Sequence, residues 1–196
     1  MGDADEAGQI WTIERELAPA RTWLVRDEAG RRFVHKRLPD DCLRGEQLHP
    51  SIKLRLTRLR ELPLGCFVNL IGVERDAAHG VVLVSEFIEG QPFDALGPLE
   101  RARMTRELRL AVDSMHQLGM IHGAIHANNV IVDAAGKLWL IDPSPLLHDD
   151  PAVDWRAIDQ MQADNAADTD VRRTPAARDP DAVSRQRTIF AAVAII

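Results

Sequence analysis

The sequence predicts an α+β protein. A five-stranded antiparallel sheet with one inserted helix is expected over residues 10–89, and a reduced, mainly helical portion over 90–162. Three observations carry this expectation. Runs near the start alternate β-branched or aromatic residues with polar ones, as a half-buried sheet requires. Two later stretches place leucines and isoleucines at helical spacing. Two short apolar runs then flank Ala134-Ala135-Gly136, as in a hairpin.

Taken in order, "WTIEREL" and "TWLVRD" read as two strands, followed by a turn at Glu28-Ala29-Gly30 and a third strand, "RRFVHKRL". After the "PDDCLRGE" loop, Leu48, Ile52, Leu56 and Leu59 mark a helix, with Pro50 in its first turn where a missing amide does no harm. Gly65 opens "CFVNLIGVE", the fourth strand, and "GVVLVSEFIEG" is the fifth and most apolar. Leu99, Leu108, Ala111, Val112, Met115 and Leu118 outline a long amphipathic helix that Gly119 ends. "NVIVD" and "KLWLID" make the hairpin, and a helix is expected around 154–162. Residues 163–180, rich in Asp, Arg and Ala with little periodicity, read as a mobile loop before a terminal helix that completes 163–196; residues 1–9 read as a flexible start.

The composition narrows the function. Of 196 residues, 45% are hydrophobic, enough for a real core, and 24 basic against 30 acidic side chains leave a net charge of -6. That balance argues against bulk nucleic-acid binding. Cys42 and Cys66 form no CxxC pair, so neither a disulfide framework nor a zinc knuckle is indicated. The acidic start has no signal-like pattern, and the apolar end "TIFAAVAII" is too short to span a bilayer. The expectation is a cytoplasmic protein without a membrane span.

Four short motifs carry chemistry. They are "FVHK" with Lys36, "VSEFIEG" with Glu86 and Ile88, "HGAIHANN" from His122 to Asn129, and "IDPS" with Asp142. Their order and spacing resemble the protein-kinase-like superfamily over roughly residues 10–160, with His122 to Asn129 at the HRDxxxxN spacing. The resemblance implies a two-lobed kinase-like fold: a five-stranded N-lobe sheet plus one helix, and a reduced, mainly helical C-lobe. It also implies ATP and Mg²⁺ as cofactors, with a protein as substrate or partner. Lys36 would supply a cation to the α- and β-phosphates. Asn129 and Asp142 would give oxygens to Mg²⁺, a hard cation that prefers them. Backbone groups of Glu86 and Ile88 would meet the adenine edge, and Val25, Val34 and Leu138 or Val130 would form an apolar slot around its ring. Each residue also has a plainer reading. Lys36 could be a surface lysine, Asn129 and Asp142 could hold turns, and His122 reads best as a packed, hydrogen-bonded structural histidine.

Departures from the family pattern bear on activity, among them Pro143-Ser144 in place of Phe-Gly after Asp142, which leaves Asp142 usable but alters the switch. The loop "LAPARTW" has no glycine, and Pro19 removes an amide, so its phosphate grip should be weak or different. The first helix offers Lys53, Arg55, Arg58 and Arg60 where a glutamate should pair with Lys36; Glu46 and Glu61 flank it, and the cations read as a solvated face. Asp154 in "VDWRAI" resembles the aspartate that anchors the catalytic loop, with Asp181 as the rival placement. Most sharply, Ala124 stands where the catalytic base is expected, and a methyl group cannot accept a proton. The chain is then either a nucleotide-binding pseudokinase or a kinase whose base has been replaced. His126 and "DPSPLLHDDPAVD" point to the HGxxHxxN branch of atypical and antibiotic kinases. Three functions stay open: a Ser/Thr protein kinase impaired at its base, a small-molecule kinase of sugar or aminoglycoside type, and a non-enzymatic protein-binding module.

Overall fold

The computed structural model describes residues 10–173 except 46 and 77. The chain divides into two compact units: one takes the residues up to Glu61 and Val68–Phe87, the other Leu62–Phe67 and the chain from Ile88.

In the first unit, β1 (Thr12–Ala18), β2 (Thr22–Arg26) and β3 (Arg32–Arg37) form where the alternation predicts them. A 3₁₀ turn at Asp40–Cys42 and a small hairpin of β4 (Leu43–Arg44) and β5 (Gln47–Leu48) lead into α1 (Pro50–Arg60). His49 caps that helix, its ring nitrogen accepting from the Ser51 amide at 3.4 Å, and Pro50 sits in the first turn. Strands β6 (Leu70–Asp76) and β7 (Gly80–Glu86) complete an antiparallel sheet of order β1-β2-β3-β7-β6, which puts β6 at an edge. Helix α1 packs along β6 and buries Ile52, Leu56 and Leu59, each such side chain contributing about 1.5–3 kcal/mol. Arg55 is also buried, 5% exposed, which corrects the expectation that all four helix cations lie on a solvated face. Three residues after Ile52 and four before Leu59, it lies beside them on the buried side, where counting charges without helix phase misplaces it.

The second unit opens with β8 (Gln91–Pro92) and a 3₁₀ turn at Phe93–Ala95, then α2 (Pro98–Gln117). Met104, Leu108, Ala111, Val112 and Met115 form its buried stripe. Leu99, 90% exposed, and the exposed Leu118 do not belong to it. Leu99 lies nine residues before Leu108, about 180° around the helix, and Leu118 is already the C-cap. Strands β9 (Val130–Val132) and β10 (Leu138–Leu140) form the expected hairpin, and β8 adds to β9 as a third strand. The Asp133 carboxylate shapes the turn by accepting from the Ala135 and Lys137 amides at 2.9 and 3.0 Å and from the Trp139 indole at 2.8 Å. Leu62–Phe67 belongs with this hairpin, because the Leu140 amide donates to the Cys66 carbonyl at 2.7 Å.

Helix α3 (Ala152–Arg173) packs on α2 and buries Asp154, Ile158 and Met161. It passes through most of the segment expected to be a loop. No glycine or proline occurs between Ala152 and Arg173, and alanines sustain a helix whose periodicity is too weak to read. The rest of the expected loop and the terminal helix lie outside the described residues. Among the described residues, no helix is long and apolar enough to cross a membrane.

Candidate functional site

The segment from Gly119 to Asp142 is held by its backbone before any side chain acts. Gly119, at φ +70°, ends α2 in a Schellman motif: its amide donates to His116 O at 2.8 Å and the Met120 amide donates to Met115 O at 3.1 Å. The chain then runs without regular secondary structure to a 3₁₀ turn at Ala127–Asn129.

Asp154, fully buried in the first turn of α3, anchors this segment. One of its oxygens accepts from the His122 amide at 2.8 Å and the other from the Gly123 amide at 2.8 Å. His116 Nε2 lies 2.9 Å from the first of these oxygens. Three donors offset the cost of burying a carboxylate and set where His122 and Gly123 stand. The anchoring role therefore falls to Asp154; Asp181 lies outside the described residues. The sequence reading missed His116. Its signal was a polar residue at the next position of the apolar row Leu108–Val112 on α2.

His122 is a structural pin, as its residue context suggested. It is fully buried, with Nε2 placed 3.1 Å from the Ile141 carbonyl and its ring set edge-to-face with Phe67. The Ser144 amide returns to the His122 carbonyl at 2.9 Å. Gly123, at φ +73°, packs so closely under His148 that an added Cβ would meet its ring at 2.2 Å. A side chain at position 123 would thus be strained in its backbone and would have to displace the His148 ring.

Asn129 and Asp142 come together inside the second unit. Asn129 Nδ2 donates to the Ala124 carbonyl at 2.8 Å and approaches the Asp142 carbonyl at 3.4 Å. The Ile141 amide donates to the Asn129 carbonyl at 3.0 Å. Two carbonyl acceptors on one side of the amide fix its orientation, since an oxygen there would face oxygens. Oδ1 is left buried with no hydrogen-bond partner among the described residues, in a residue 1% exposed. An orphaned buried acceptor costs about 1–3 kcal/mol and calls for a donor or a cation. Asp142 follows Ile141 at φ +56°, a left-handed conformation that is uncommon for a residue other than glycine, though aspartate tolerates it better than most. A neutral oxygen and a carboxylate fit Mg²⁺ in chemistry. Among the described residues no group of three or more His, Cys, Asp or Glu side chains is placed to hold a metal. Such a cation would need further oxygens from phosphates and water. Ala124 contributes its carbonyl to Asn129, and its methyl group adds no acid or base.

In the first unit, Lys36 sits half-buried on β3, opposite Thr22 on β2 and Leu83 on β7. Val34, two residues earlier, shares its sheet face with Leu24, its partner on β2. Val25 does not. It pairs with Phe33 and belongs to the cluster of Trp23, Phe33, Val82 and Val84 on the opposite face. On the Lys36 face the β2 residue is therefore Leu24 and not the expected Val25, a one-residue shift that pairing decides and alternation alone leaves open. The Glu86 amide is already used, donating to Asn69 O at 3.0 Å. Ile88 opens the second unit, where Val130 and Leu138 are both buried in the hairpin. Of the two acids considered as partners for Lys36, Glu61 is the exposed C-cap of α1 and Glu46 lies outside the described residues.

The glycine-free β1–β2 turn takes a glycine-like shape. Ala20 stands at φ +52°, and its amide donates to the Glu16 carboxylate. The Ala20 amide is thus occupied by the chain's own carboxylate.

The chain matches no known family model and no curated protein.

Proposed function

We propose that this chain is a nucleotide-binding domain of the two-lobed protein-kinase-like type that takes ATP with Mg²⁺, its base position occupied by Ala124. The observation that carries the reading is the buried Oδ1 of Asn129, which has no partner among the described residues and lies beside Asp142 in its left-handed conformation. In a merely structural turn both features would cost stability for no return. Two oxygens of this kind suit a cation that arrives with phosphates. Lys36, half-buried on β3, supplies positive charge to the α- and β-phosphates in this reading, and the Glu86 carbonyl and the Ile88 backbone meet the adenine. The acceptor class that the motif resemblance favours is a Ser/Thr side chain of a protein.

The residues also say where activity should fail. Phosphoryl transfer needs positioning and charge stabilisation, together with a group that orients the acceptor hydroxyl and takes its proton. Ala124 lacks that group, and the Glu16 carboxylate competes for the turn amide that a phosphate would use. Binding should survive where turnover does not.

The test measures both. ATP with Mg²⁺ should raise the thermal midpoint by mass action, and Asn129→Ala, Asp142→Ala or Lys36→Ala should remove most of the rise. Mg²⁺ alone should do little. Ala124→Asp should leave nucleotide affinity nearly unchanged and raise transfer to a protein acceptor by about 10²–10⁴-fold. No midpoint shift at millimolar nucleotide would refute the reading. A shift with a silent Ala124→Asp variant would leave a binding domain without transferase activity.

A further inference from the structure

Helix α1 and the edge strand β6 enclose a groove of about 800 Å³ within the first unit. Its floor is apolar, formed by Leu56, Leu70, Val73 and Leu83. Lys53 and Arg60 stand on its rim. Seven residues apart on one helix, they share a face and lie about 10 Å apart along it. Both are exposed, and neither makes an ion pair among the described residues. Arg75 lines the groove from β6. The acid in the lining, Glu74, has a carboxylate oxygen held by the Trp11 indole at 2.7 Å. A locally positive rim over an apolar floor, on a chain of net charge -6, runs against the overall sign of the molecule.

We propose that this groove docks a segment of a partner protein that carries apolar anchors between carboxylates. The floor takes the anchors, and Lys53 and Arg60 take the carboxylates and set the register. Charge complementarity of this kind selects partners and speeds encounter. Nucleic acid fits less well, because the chain's net charge repels phosphates and the floor is apolar. The proposal does not depend on nucleotide binding, and its test involves no nucleotide.

The test selects a displayed library of random peptides of about twelve residues on the full chain, then on the Lys53→Glu/Arg60→Glu double variant. A selected peptide is next measured by fluorescence anisotropy at low and high salt. The expected result is enrichment of Leu, Ile or Phe together with Asp and Glu. Affinity should fall about tenfold in the double variant and fall with salt. Gly72→Leu should also weaken binding, because Gly72 lines the groove and an added Cβ meets nothing within 4 Å, so the side chain fills the floor. Both variants should keep the parent's circular dichroism and thermal midpoint. The proposal is overturned if nothing is enriched, if the enriched peptides lack acids, or if they bind the double variant equally well. It is also overturned if a single-stranded oligonucleotide displaces them with higher affinity. Self-association of the chain that the double variant abolishes would assign the groove to a second copy, and would overturn it too.

Discussion

Replacing Asp154 tests how the 122–142 segment is held. In Asp154→Ala, the buried His122 amide and the neighbouring Gly123 amide lose their acceptor, and His116 Nε2 loses its partner. Leaving one buried donor unsatisfied costs about 1–3 kcal/mol, and breaking a buried charged network costs about 3–5 kcal/mol. Because the three donors share one carboxylate, their losses do not add in full, and about 3–5 kcal/mol is expected. For a chain of this size that lowers the thermal midpoint by roughly 10 °C. Asp154→Asn should cost less, about 2 kcal/mol, since one oxygen still accepts while the new amide group faces a donor. Urea unfolding measures the total. Hydrogen exchange at the His122 and Gly123 amides measures the local part, and both should lose protection in Asp154→Ala. A loss under about 1 kcal/mol with protection intact at both amides would refute the view that this carboxylate sets the loop.

Two further outcomes follow from the first unit. His35 is buried on β3 among Trp11, Phe33 and Val84, and burial pushes its pKa below the usual histidine range, against the pull of Glu74 and Asp76. Its folded pKa is lower than its unfolded one, so the unfolded chain binds the extra proton first. The stability it contributes is complete above about pH 6.5 and is lost as pH falls below that. His35→Phe should flatten the slope of unfolding free energy between about pH 7.5 and 5.5, and an unchanged slope would remove His35 as its source. Ala20 at φ +52° bears a strain that glycine would not, so Ala20→Gly should raise stability by about 0.5–1 kcal/mol in urea unfolding. A loss would mean that the turn differs in solution.

Sequence alone was enough for several elements that a short, strongly patterned stretch of chain decides by itself, though not for the weakly periodic second half of α3. The alternation in "TWLVRD" and "RRFVHKRL" yields β2 and β3, the leucine spacing yields α1, and Gly119 stops α2, because each depends on neighbours within a turn or a strand pair. Asn129 and Asp142 were legible as candidates from residue type and order, and the hairpin between them has room for little else than bringing them together. Tertiary structure decided what depends on partners distant along the chain. Pairing of β2 with β3 put Leu24, not Val25, on the Lys36 face, since a one-residue change in register exchanges the faces of a strand. Helix phase against β6 buried Arg55 and turned Lys53 and Arg60 to a groove, although all three look alike in a list of cations. Asp154 could be singled out by its motif but not separated from Asp181, because anchoring means reaching two amides more than thirty residues away. The unsatisfied oxygen of Asn129 was invisible for the same reason: what a polar atom lacks is set by everything packed around it, and that exists only once the chain has folded.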